Sequence, residues 1–151
     1  YINRDYRYKH HTEENIITMS LDKNQTNKGY LAGRLFAVLE SLQQIANSKA
    51  TITDSYFGNA MTSPAAVFPY LIRLSIHHQK KAKRDNPALY TICAKQLDEI
   101  MALLGGDEPP YPSHFTLEEQ GFFSLGYYHQ KQYHYSSKEE KEAIDNNSSE
   151  D

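Results

Sequence analysis

The residues able to bind metal, attack a substrate or move protons are seven histidines, the single Cys93 and the acidic pair Glu118–Glu119. His10–His11 and His77–His78 are sequence neighbours, which on a helix point about 100° apart and do not chelate together. His129 and His134 stand five residues apart, again on different helical faces. No His-Glu-x-x-His helix, Cys–His cluster or aspartate-rich calcium loop occurs, so no metal is expected. Cys93 falls on an apolar helical stripe and reads as packing, and no serine sits in a Gly-x-Ser-x-Gly elbow. Glu118 and Glu119 are explained by a helix cap, and no glycine loop is built for phosphate. These residues predict a protein that is not an enzyme and that carries no cofactor.

A different chemistry runs along one segment. Arg73, His77, Lys80, Lys81 and Arg84 follow steps of four, three, one and three, which align them on one side of a helix, with Lys83 flanking. No acid occurs between Asp54 and Asp85, so the stripe has no acidic partner within most of its own helix. A charged stripe is commonly just a solvated face, but an acid-free one is suited to phosphate. The predicted nucleic-acid contacts are Arg73, Lys80, Lys81, Lys83 and Arg84. Lys28, Arg34 and Lys95, placed off the apolar stripes of other helices, are weaker candidates for the same surface. Tyr127, Tyr128, Tyr133 and Tyr135 have rings suited to base stacking, with packing the simpler reading.

The whole chain must position these groups with 151 residues, the size of one domain. Residues 138–151 hold two lysines against six acids, so the tail carries the acidity behind the net charge of −3. Residues 1–104 hold 13 basic residues against nine acids, a balance that permits a local nucleic-acid contact without demanding one. Tyr56 to Leu71 is uncharged but holds two prolines and is too polar to span a bilayer. One cysteine cannot form an internal disulfide, and with no leader in view the cytoplasm is the expected compartment. Beginning at Tyr1 rather than Met, the chain reads as trimmed or as a fragment of a longer one.

Helical signals dominate. Thr26 or Asn27 caps a helix with Leu31, Leu35, Val38, Leu39, Leu42, Ile45 and Ala46 on one inward face. Thr51 starts a short second helix with Ile52, Tyr56 and Phe57 inside and Gly58 near its end. Ser63–Pro64 opens a third that continues to Lys83 with a kink at Pro69, and Asn86–Pro87 opens a fourth that Gly105 and Gly106 end. Asp107 to Ser113, with three prolines, is a loop. Thr116 and Glu119 form a capping box for a last helix through about Tyr133, where Gly121 and Gly126 imply close packing. The fold class is all-α: a compact bundle of about five helices at 27–135, an extended arm at 1–26 and a disordered acidic tail at 136–151. The predicted core is Leu31, Leu35, Val38, Leu39, Leu42, Leu71, Leu97, Ile100, Met101 and Leu125.

Three stretches carry a family resemblance. They are Ser20-Leu21-Asp22 with Thr26-Asn27 and Gly33-Arg34-Leu35-Phe36-Ala37-Val38-Leu39-Glu40; Tyr56-Phe57 through Thr62-Ser63-Pro64-Ala65-Ala66-Val67-Phe68-Pro69 to His77-His78; and Leu117-Glu118-Glu119-Gln120-Gly121 through Leu125-Gly126-Tyr127-Tyr128-His129-Gln130. In order and spacing, from about Ile17 to Tyr133, they resemble the C-terminal region of the large subunit of the type I-C CRISPR surveillance complex, Cascade. In that family the region is also made separately as a small subunit.

The resemblance implies a helical, non-enzymatic subunit that packs along the filament of backbone subunits holding the guide RNA. There it would help hold target DNA as it opens, while base pairing supplies sequence specificity. The implied partners are the CRISPR backbone and large subunits, neighbouring small subunits, the guide RNA–target DNA hybrid and the displaced DNA strand, with no membrane. The competing expectation is a structural adaptor that meets only protein.

Overall fold

The computed structural model describes residues 20–47, 49, 52–105 and 111–148. Residues 1–19 of the expected arm, Thr51, Gly106, Pro109, Pro110 and the last three residues of the tail lie outside the described residues. Among those described there are five helices and no strand: α1 Lys28–Ala46, α2 Ile52–Thr62, α3 Pro64–Asp85, α4 Pro87–Leu104 and α5 Leu117–Ser148. The all-α expectation holds. None of these helices is long and apolar enough to cross a membrane.

Local chemistry sets most of the boundaries. Asn27 starts α1 by accepting from the backbone N–H of Gly29 at 2.9 Å and of Tyr30 at 3.3 Å, two of the donors that a helix start leaves unpaired. Asn86 ends α3 and caps α4, accepting from the Leu89 N–H at 3.2 Å, with Pro87 at the first helical position. The capping box forms in both directions: the Glu119 N–H donates to Thr116 Oγ1 at 3.2 Å and the Thr116 N–H to Glu119 Oε1 at 3.1 Å. Ser63 stands at the α3 cap position without a side-chain cap bond, leaving Pro64 to set the turn. The helix continues through Pro69 to Asp85.

Helix α1 is the axis of the fold and touches all four other helices, α5 most extensively. Every residue from Gly29 to Gln43 is buried, which corrects the one-faced stripe expected from its leucines. Small residues and internally bonded polar ones cover the other faces. Gln43 Oε1, for example, accepts from the Ile52 N–H at 3.0 Å and so satisfies the start of α2. Helices α1 and α5 run in the same direction, because Gly29 lies against Glu119 and Gly33 against Phe123. Phe36, Phe57, Phe123 and Tyr127 interlock between them, with ring centroids 5.0 to 6.0 Å apart and mostly edge-on.

Some expectations need correction. Met101 and Leu125 are not core residues, being 38% and 47% exposed, because Ile100 and Phe123 take the inward positions beside them. Leu97 is only partly buried. Helix α2 does not end near Gly58 but runs on to Thr62. Gly126 packs closely as expected, whereas Gly121 faces open space. The last helix continues to Ser148 rather than stopping near Tyr133, so residues 136–148 are helical and not the expected disordered tail. The run Lys138-Glu139-Glu140-Lys141-Glu142-Ala143 consists of good helix formers with no glycine or proline to stop it.

Candidate nucleic-acid interface

Helix α3 positions the basic stripe. Its buried residues, Val67, Phe68, Leu71, Ser75 and Ala82, occupy one side, and helical geometry places Arg73, His77, Lys80 and Arg84 on the opposite one. Arg73, His77, Lys80, Lys83 and Arg84 are exposed and Lys81 is half-buried. From Arg73 to Arg84 the stripe spans roughly 16 Å at about 1.5 Å per residue.

One acid touches the stripe at its end. Arg84 Nε donates to Asp85 Oδ1 at 2.9 Å, and this hydrogen bond raises the guanidinium and lowers the carboxyl relative to their ordinary values. Lys81 also acts on Asp85 electrostatically. His78, half-buried beside the stripe, is held below its ordinary value, first by burial and then by neighbouring His77. It therefore adds no proton to the positive field at neutral pH.

The weaker candidates separate. Lys28 and Lys95 are exposed, but on α1 and α4. Arg34 is not at the surface at all: it is 1% exposed, with Nε donating to Gln130 Oε1 at 2.8 Å. Its expected place in the interface is corrected because α5 covers it. Burial lowers its basicity, and the more distant Tyr30, Glu99, Asp22 and Tyr133 act in the opposite direction.

The tyrosines divide too. Tyr127 is core, donating to Glu40 at 2.6 Å, and Tyr133 accepts from Lys23 Nζ at 3.1 Å, whereas Tyr128 and Tyr135 are exposed. A groove of about 530 Å³ beside Tyr133, lined by residues 20–24 and α5, has Lys23 already engaged by Glu99 at 3.6 Å.

Sequence reasoning missed an aromatic pair upstream of the stripe. Tyr56 of α2 and Tyr70 of α3 have ring centroids 5.7 Å apart and line a groove of about 570 Å³ with Asn59, Ser63, Ala66 and Val67. Tyr70 stands one turn before Arg73 on the same face, so extending the basic stripe backwards would have found it.

Cys93, His129 and His134 are taken up in the packing of the fold, whereas His10 and His11 lie outside the described residues. Cys93 is buried with its thiol pushed up to about 12 by burial, and its Sγ lies 3.9 Å from His134 Nδ1. His129 Nδ1 shares a 2.9 Å hydrogen bond with the Tyr30 hydroxyl. Among the described residues no three His, Cys, Asp or Glu side chains converge as metal ligands would.

A family model described as CRISPR-associated protein Cas_Csd1 matches residues 1–135. No curated protein matches the chain.

Proposed function

We propose a role for a chain that belongs to the Cas_Csd1 family, the CRISPR-associated family of the type I-C Cascade: it is a non-catalytic part of the surveillance complex that steadies opened target DNA. The observation that carries this reading is the exposed side of α3, where Arg73, Lys80 and Arg84 stand opposite the buried face, with exposed Lys83 and half-buried Lys81 at its flanks. Such a surface neutralises phosphates without reading bases, which is what a complex needs when guide pairing already supplies specificity. The displaced strand is the ligand, since a flexible single strand follows a track of charge without fixed register. The chain serves as the separate small subunit or as the matching part of the large one, in the cytoplasm, beside the backbone filament.

The adaptor reading has its own supporting observation. The outer side of α5 exposes Leu117 at 85%, Leu125 at 47%, Tyr128 at 65% and Tyr135 at 50%, an apolar strip that the other described residues leave open. We assign that strip to the backbone or neighbouring subunits, which leaves α3 for DNA. Copurification with a guide-RNA complex, followed by salt titration of target binding with and without this chain, tests the role. The chain is expected to join the complex and to steepen the salt dependence by roughly 0.7 to 0.9 log units per phosphate contact. Incorporation with no change in salt dependence would favour the adaptor.

A further inference from the structure

The basic stripe of α3 does not end in plain solvent at its upstream end. One turn before Arg73 the same face carries Tyr70, 44% exposed, and the turn before that carries Ala66. Tyr56 reaches across from α2, its ring tilted 46° to that of Tyr70 with the centroids 5.7 Å apart. Tyr70 is therefore held in place by a neighbour while part of its ring stays open. The floor of the groove is the small Ala66 with Val67, and Asn59 and Ser63 form its polar edge. Ser63, at the cap position, spends no side-chain bond on the helix start.

We propose that the groove between Tyr56 and Tyr70 is a base-stacking subsite for single-stranded DNA, continuous with the phosphate track of Arg73, Lys80 and Arg84. This rests on the DNA-steadying role proposed above and adds to it a place where a base, not only a phosphate, is held. Flat aromatic surface beside a line of positive charge is the combination that proteins use for single strands without sequence preference, because every base has a π-face. Tyr70 to Arg84 covers about 21 Å of helix, enough for roughly three or four nucleotides of extended strand. The small residue at Ala66 leaves room for a ring above the groove floor. A duplex keeps its bases stacked on each other and offers nothing for Tyr70. Protein docking into the same groove would gain little from the adjoining five cations.

The test titrates the full chain against fluorescent oligo-dT, the same oligonucleotide with abasic sites, and duplex DNA, at several low salt concentrations. Wild type is expected to prefer oligo-dT over both competitors by about tenfold. Tyr70→Ala should remove that preference and leave the salt slope unchanged, while Tyr70→Phe, which keeps the ring, should retain it. Lys80→Ala with Arg84→Ala should flatten the slope and keep the preference for bases over abasic sites. If the double lysine–arginine variant loses binding and slope but Tyr70→Ala behaves as wild type, the stacking subsite is wrong and the phosphate track stands. If the chain binds no DNA even at low salt, or if the slope survives loss of the cations, both readings fall. A Tyr70→Ala chain that binds oligo-dT normally and fails to enter the complex would make the groove a protein contact and overturn the proposal.

Discussion

Gly33 of α1 lies directly against the backbone of Phe123 in α5: a Cβ added there would stand 2.0 Å from the Phe123 carbonyl oxygen. The mirror relationship occurs at Gly126, where a Cβ would meet the Tyr30 carbonyl oxygen at 2.1 Å. Both contacts are backbone on backbone, so neither can be relieved by a side chain swinging away. Two long parallel helices are thereby brought close enough for Phe36, Phe123 and Tyr127 to interlock.

Gly33→Ala is accordingly expected to destabilise by about 3 kcal/mol or more, at or beyond the upper end for overpacked cores. Gly121→Ala, one turn from the same interface but facing open space, should stabilise by roughly 0.5 to 1 kcal/mol through helix propensity. Urea unfolding of the two variants checks the pair. Equal effects would mean that the helices are not in backbone contact.

Glu40, 3% exposed, accepts from Lys131 at 2.8 Å, from Tyr127 at 2.6 Å and from Thr53. Burial alone would raise its pKa, but the hydrogen bonds from Lys131, Thr53 and Tyr127 together outweigh burial and hold it below 4.5. A depressed carboxyl contributes stability above its unfolded value and loses it as pH falls through the folded one. Glu40→Gln should therefore cost about 2 to 3 kcal/mol at pH 7, less than a fully buried pair because Lys131 reaches water. It should also flatten the loss of stability below pH 4.5, measured by thermal melts across pH.

Cys93 should resist alkylation in the folded chain at pH 8 and react once denaturant is added, since burial keeps the thiol protonated. Cys93→Ser should join the complex and support interference with only a modest stability loss. Rapid labelling of the native chain, or abolished function in a well-folded variant, would remove the packing assignment.

Leu39, 2% exposed, should cost about 2 to 5 kcal/mol as alanine. Leu125→Ala, on the outer strip of α5, should cost under about 0.5 kcal/mol yet weaken entry into the complex. Calorimetry and pull-down together separate the two effects; a large stability loss at Leu125 would return it to the core.

The sequence shows its helices through local signals: Asn27, Asn86 with Pro87, and Thr116 with Glu119 all cap as their spacing implies. The surroundings of α1 were not legible that way. Arg34 and Glu40 have the types and positions of outward residues, and only the partners Gln130, Lys131 and Tyr127, some 90 residues away, turn them inward. Gly33 and Gly121 look alike as helix-interior glycines, and only the position of the opposing backbone tells them apart. The basic stripe was legible because periodicity within one helix decides it. The Tyr56–Tyr70 groove was not, since it forms between two helices.

Whether the α3 stripe holds DNA is tested most directly by changing Lys80, Lys81 and Arg84 together to Ala in the assembled complex. Target affinity and its salt dependence are then measured on several unrelated, guide-matched targets. All three residues are off the buried face of α3, so the chain should fold and assemble as before. Binding is expected to weaken for every target alike, with the salt slope reduced by roughly 2 to 3 log units for three lost phosphate contacts. Unchanged affinity and slope in a complex that contains the variant would contradict the DNA-steadying role, and failure of the variant to assemble would make the stripe a contact for protein.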